Sequence, residues 1–138
     1  MGWFDSRDTK EKRSRFKNMI NLALIDGHFD DEERAFLQNQ GINLGLSIRD
    51  VEAVLNHPER VEFVVPKDPD ERIGHLHELV IMMLVDGSIK QEEMDFVQTL
   101  AVAMGFRPSA VPQMLEMIFE SAREKAKPTI DAVEFLDV

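Results

Sequence analysis

Two short segments of the chain crowd carboxylates around a glycine: DGHFDDEE at 26–33 and DGSIKQEE at 86–93. Carboxylates at that density either hold a hard cation or cap a helix. In each segment an acidic residue precedes the glycine, an apolar residue follows it by two (Phe29, Ile89), and a glutamate follows it by six (Glu33, Glu93). That is the second half of an EF-hand calcium loop. The first half is missing, because its leading ligand positions fall on Leu22 and Leu24, or on Met82 and Leu84. One turn therefore cannot supply the roughly six to eight oxygens that Ca²⁺ takes. Two turns packed about a local two-fold would. Asp26, Glu33, Asp86 and Glu93, helped by Asp30 or by backbone carbonyls, would then suit Ca²⁺, Mg²⁺ or Mn²⁺ better than Zn²⁺. The alternative needs no ion: Glu33 and Glu93 are capping-box members, and Asp26 and Asp86 close turns onto backbone N–H groups. Something must compensate Asp26 and Asp86, since the macrodipole repels a carboxylate at a helix C-terminus. Lys90 stands where the first segment has Asp30 and brings a positive charge to the second turn.

The segments belong to a longer repeat. Shifted by 60, residues 24–55 fall on 84–115 without a gap, with 10 identities in 32 positions. Average composition would give about two. Two copies are too few for an open solenoid, so they are expected to pack as one core. The chain thus reads as one all-α domain, a bundle of six to seven helices from two pseudo-symmetric three-helix repeats. Repeat one covers about 6–57, a crossover 58–68, repeat two about 69–126, and a short helix 128–137.

Each element has local signals. Phe16, Met19, Ile20, Ala23 and Gly27 lie on one helical face. Ser6 or Asp5 starts that helix, and Gly27 supplies the left-handed residue that ends it. Asp30 opens the second helix, with Phe36, Leu37 and Leu44 inward and Gly45 at its end. Ser47 opens the third, with Val51, Val54 and Leu55 inward, and His57-Pro58 stops it. Residues 61–66 read as an extended crossover, since no other strand exists to pair with them. Asp68, Pro69 and Glu71 open the second copy, whose first stripe is Ile73, Leu76, Val80, Met83, Leu84 and Gly87. Ser109 caps the last long helix and leaves Pro112 in its first turn. That helix buries Val111, Met114, Leu115, Ile118, Phe119 and Ala122. Pro128-Thr129 begins the short C-terminal helix.

Composition narrows the function. The 138 residues include no cysteine, so disulfides, thiolate zinc sites and cysteine nucleophiles are excluded. The net charge of −10 is uneven. Residues 5–17 hold six basic and three acidic side chains, and the rest of the chain holds 10 basic and 23 acidic ones. An acidic body repels phosphate backbones and favours cations or basic protein surfaces. The basic segment would dock on the acidic body of a second copy, giving a homodimer. The longest apolar run, Leu79–Val85, is too short to span a bilayer. No apolar segment of signal-peptide length opens the chain, so a cytoplasmic protein is expected. Gly2 and Ser6 fit a loose myristoylation pattern, but Trp3 and Phe4 fit a staple onto the first helix better, and membrane association is not expected. His75 and His77 point different ways on one helix, His28 borders the first turn as a solvated loop residue, and no Glu-x-x-His is present. There is no phosphate loop or nucleophile elbow.

The doubled pattern L-[IV]-D-G-x-[FI]-x-x-x-E, carried by Leu24–Glu33 and Leu84–Glu93, resembles the TerB-like family of tellurite-resistance proteins and DnaJ-like co-chaperone N-terminal domains. The likeness covers about residues 12–122. It implies a helical bundle with internal pseudo-symmetry and a metal site at Asp26, Glu33, Asp86 and Glu93. Lys90 departs from the family pattern, where a small or acidic residue is usual. No J-domain segment is present, so a co-chaperone role in cis is not expected. The resulting expectation is a non-enzymatic helical module with a divalent cation between its turns, a protein partner, and a stress or tellurite-resistance setting. The alternative is a metal-free interaction domain whose turns are caps. A metal-dependent hydrolase comes third, because no nucleophile–base pair is legible.

Overall fold

The computed structural model describes residues 6–27, 29–85 and 87–137. Among them the fold is all-α. Six α-helices run in order: α1 Arg7–Asp26, α2 Asp31–Asn43, α3 Ile48–Asn56, α4 Pro69–Val85, α5 Gln91–Ala103 and α6 Val111–Arg123. Two short 3₁₀ turns, Pro58–Arg60 and Ala132–Phe135, follow α3 and α6. Among the described residues no helix is long and apolar enough to cross a membrane. Backbone packing divides the chain into two compact units between Val65 and Pro66. The division falls inside the expected crossover and gives each unit one repeat.

In the first unit α1 packs on both α2 and α3. Ser6 caps α1 by accepting the Thr9 N–H at 3.2 Å, and Gly27 ends it at φ 81°. Phe16, Met19 and Ile20 are fully buried from α1, and Val51, Val54 and Leu55 are buried from α3. Each such side chain contributes roughly 1.5–3 kcal/mol. The face of α2 is narrow. Leu37 is fully buried, and Gly41 is where the helix comes closest to its neighbours. A Cβ on Gly41 would lie 2.7 Å from a Val51 methyl and 3.0 Å from the Phe16 ring. Phe36, expected inward, is instead 42% exposed. With contacts through Leu37 and Gly41, one helical turn apart, the adjacent residue lies on the flank.

The crossover is tied to α1 by three side chains. Ser14 Oγ accepts the Val64 N–H at 2.9 Å. Lys17 Nζ donates to the Val61 carbonyl at 2.8 Å, and Arg7 to the Val65 carbonyl at 2.6 Å. These bonds satisfy a segment with no strand partner. Arg13 pairs with Asp50, and Lys12 with Asp8. Much of the positive charge in the basic segment is therefore taken up inside its own unit.

In the second unit α4 packs on α5 and α6. Asp68 accepts the Asp70 N–H at the start of α4. Arg72 reaches across to donate to the Met104 carbonyl just past α5, where a cation suits the helix dipole. Two expectations fail here. The residue preceding α6 is Ala110, not Ser109, and no side chain caps that helix. The Arg107 carbonyl accepts from both Ala110 and Val111 instead, and Pro112 has no N–H to satisfy. Nor does a helix begin at Pro128. Residues 128–131 are irregular, and only Ala132–Phe135 winds into a 3₁₀ turn. The tail gives its backbone to the loop after α5. Arg107 N donates to Phe135 O at 2.8 Å, and Asp137 N to Gly105 O at 2.7 Å. Groups used in that pairing cannot also close a longer helix.

Candidate functional site

The two acidic turns are built alike and capped differently. In the first, α1 runs through Asp26 and Gly27 turns the chain, its N–H donating to Leu24 O at 3.1 Å. Asp30 then adopts extended backbone as N-cap of α2. Its Oδ1 accepts the Glu33 N–H at 2.9 Å. Asp31, Glu32 and Glu33 fill the first turn of α2, where the helix dipole favours negative charge.

In the second turn Gly87 has φ 77°, and its N–H donates to Leu84 O at 3.2 Å. Lys90 is the N-cap of α5. An ammonium has no acceptor, so Lys90 cannot do what Asp30 does. The reciprocal half of the capping box forms instead: Glu93 Oε1 accepts the Lys90 backbone N–H at 3.0 Å. Glu93 is only 2% exposed, whereas Glu33 is half-buried. A carboxylate so withdrawn from water needs its hydrogen bonds.

Asp26, Asp30 and Glu33 thus cluster by sequence in the first unit, and Glu93 lies in the second. Asp86, the fifth residue named for a metal, lies outside the described residues. So do His28 and the segment holding Gly2, Trp3, Phe4 and Asp5. Among the described residues no three carboxylate or histidine side chains form a group able to hold a metal ion. Beside the second turn, Ile89, Met94, Pro112, Phe119 and Arg123 help line a shallow apolar groove of about 410 Å³.

Comparison with known proteins finds no family model, no curated protein and no solved structure that matches the chain.

The two histidines of α4 occupy unlike places. His75 is buried, with Nδ1 3.1 Å from Glu78. His77 lines a cleft of about 550 Å³ at the end of α4. Burial lowers its pKa, an effect partly offset by the Ala126 carbonyl and by Glu78. His77 belongs to no motif of the kind that marks the acidic turns. The signal lies in the repeat's unlike positions, where Lys17 and Asn21 of the first copy become His77 and Ile81 of the second.

Proposed function

We propose that this protein is a non-enzymatic helical interaction module of the TerB-like kind, in which the paired acidic turns work as helix caps and the acidic surface engages a protein partner. One observation carries the reading. Two of the carboxylates that stand out as ion ligands are bonded to backbone N–H groups at helix starts, Asp30 at α2 and Glu93 at α5. Caps of this kind contribute about 1 kcal/mol each and need no ion. The TerB-like resemblance adds a connection to stress or tellurite resistance, and a cytoplasmic setting is part of the same proposal.

The experiment is a calorimetric titration of the full chain with Ca²⁺, Mg²⁺ and Mn²⁺, paired with melting curves. The cap reading expects no saturable heat and no ion-dependent rise in Tm. It also expects Asp26→Asn and Asp86→Asn to lower Tm equally with and without the ions. Saturable heat that disappears in either variant would overturn it.

That outcome would favour the second reading, a divalent-cation module with Asp26, Asp30, Glu33, Asp86 and Glu93 as ligands. Its support is the repetition of Asp-Gly at 26–27 and 86–87, each with a glutamate six residues after the glycine. Asp31 and Glu32 add further negative charge to the first turn.

A further inference from the structure

We propose that the cleft between the end of α4 and the tail of α6 binds a medium-chain fatty carboxylate. The cleft lies wholly within the second unit and measures about 550 Å³, within the range of small-molecule pockets. Its walls are apolar: Ile81, Leu84 and Val85 from α4 face Ala122 and Ala126 from the end of α6 and beyond. Val85 is 83% exposed and Ile81 42%, so the apolar surface is open to a ligand. An acyl chain laid on these residues would remove that surface from water.

The head of the ligand follows from charge. The chain carries a net −10, yet Arg123, Lys125 and Lys127 all line this cleft. Glu124 sits in the same stretch but is not among the lining residues. Arg123 is partly committed, its guanidinium lying 5.5 Å from the Phe119 ring centroid. The two lysines are exposed.

Two further observations point to this place independently. The first is His77 Nε2, a buried nitrogen with no hydrogen-bond partner among the described residues. Burial without a partner is costly for a polar atom. Nε2 is closed to solvent in this structure, so a carboxyl group in the cleft would reach it only after the His77 side chain turns; it would then meet the need in either tautomer, since the carboxylate accepts a hydrogen bond and the protonated acid donates one. The second is Lys125, the one non-glycine residue at positive φ (55°) among those described. Lys125 N donates to Ala122 O and Ala126 N to Ser121 O, a Schellman closure that ordinarily takes glycine at this position. The four other left-handed positions among the described residues, 27, 45, 87 and 105, are all glycine. A lysine that bears backbone strain beside a cleft suggests a use for its ammonium there.

The first repeat has no such cleft lining. Lys17, in the place of His77, is bonded to the Val61 carbonyl, and α3 stops at Asn56. The third helix of the second repeat continues to Arg123, and that extension supplies the far wall.

The test uses the full chain and dodecanoate below its micelle-forming concentration, with dodecanol and dodecyltrimethylammonium as the neutral and cationic counterparts. Titration calorimetry and amide shifts are recorded for the natural chain and for Lys125→Gly/Lys127→Ala. Lys125→Gly relieves the left-handed strain, so this double variant keeps its fold. Dodecanoate should saturate one site, shift His77, Ile81 and Val85, and bind about tenfold more weakly to the double variant at unchanged or higher Tm. Ile81→Glu should abolish binding. Four results would each overturn the proposal: no saturable binding, equal binding of the three amphiphiles, binding untouched by the double variant, or binding only to phosphatidylglycerol vesicles.

Discussion

The two repeats reach the same three-helix arrangement with different volumes at matching places. In the first, Phe16 on α1 packs where α2 carries Gly41. In the second, the corresponding residues are Leu76 on α4 and Ala101 on α5, both fully buried. A larger ring faces no side chain in one copy, and a smaller branched chain is matched with a methyl in the other. The turns show a similar exchange. Asp30 caps α2 with its own side chain, whereas Lys90 cannot, and α5 is capped by Glu93 reaching back. Duplication has preserved the sum at each site rather than the residues. Interiors at crystal-like density demand this, and so do helix ends with unbonded N–H groups.

The largest effect should come from disturbing the volume exchange. Gly41→Ala forces a Cβ to within 2.7 Å of Val51 and 3.0 Å of Phe16, and is expected to cost about 2 kcal/mol. Adding Phe16→Leu, which recreates the second repeat's pair, should recover more than half of that loss in denaturant unfolding. A double variant no better than the single would break the comparison. Next comes the second cap. Glu93→Ala removes the carboxylate that accepts the Lys90 N–H and should cost roughly 1–2 kcal/mol. Glu93→Gln keeps an acceptor and removes a buried charge, so its melting temperature should stay within a few degrees of the natural chain. The first cap is more exposed. Asp30→Ala should cost about 1 kcal/mol, and Lys90→Asp should stabilise by a smaller amount by installing the missing half of the second box.

The smallest effect contrasts His77 with Lys17. Burial holds the folded-state pKa of His77 below its ordinary value. The unfolded chain therefore takes up the proton first as pH falls. Stability tied to the neutral ring is complete above the ordinary histidine range and is lost as pH falls from there towards the lowered value. His77→Asn should flatten that part of the Tm–pH profile, while Lys17→Gln should leave its slope in this window unchanged.

How far the sequence could be read depended on the range of each interaction. Ser6, Asp30 and Ser47 are legible as caps because each bonds an N–H three residues away. The stripe of α6 is legible because its buried residues recur at helical spacing. Phe36 misleads, since being apolar and next to Leu37 does not say which of the two faces α1. Ser109 misleads because the Arg107 carbonyl does the work expected of its hydroxyl. The tail after Pro128 misleads because its hydrogen bonds go to Gly105 and Arg107, more than twenty residues back.

The sequence by itself determined that the chain is helical, where α1 to α4 start, the glycine turns and the internal repeat, because those follow from spacing and from bonds between near neighbours. Only the tertiary structure decided that Arg7, Ser14 and Lys17 anchor the crossover, that Glu93 is buried, and that His77 and Lys125 line one cleft. These depend on residues distant in the chain meeting in space, and no local pattern records which distant partner a side chain will find.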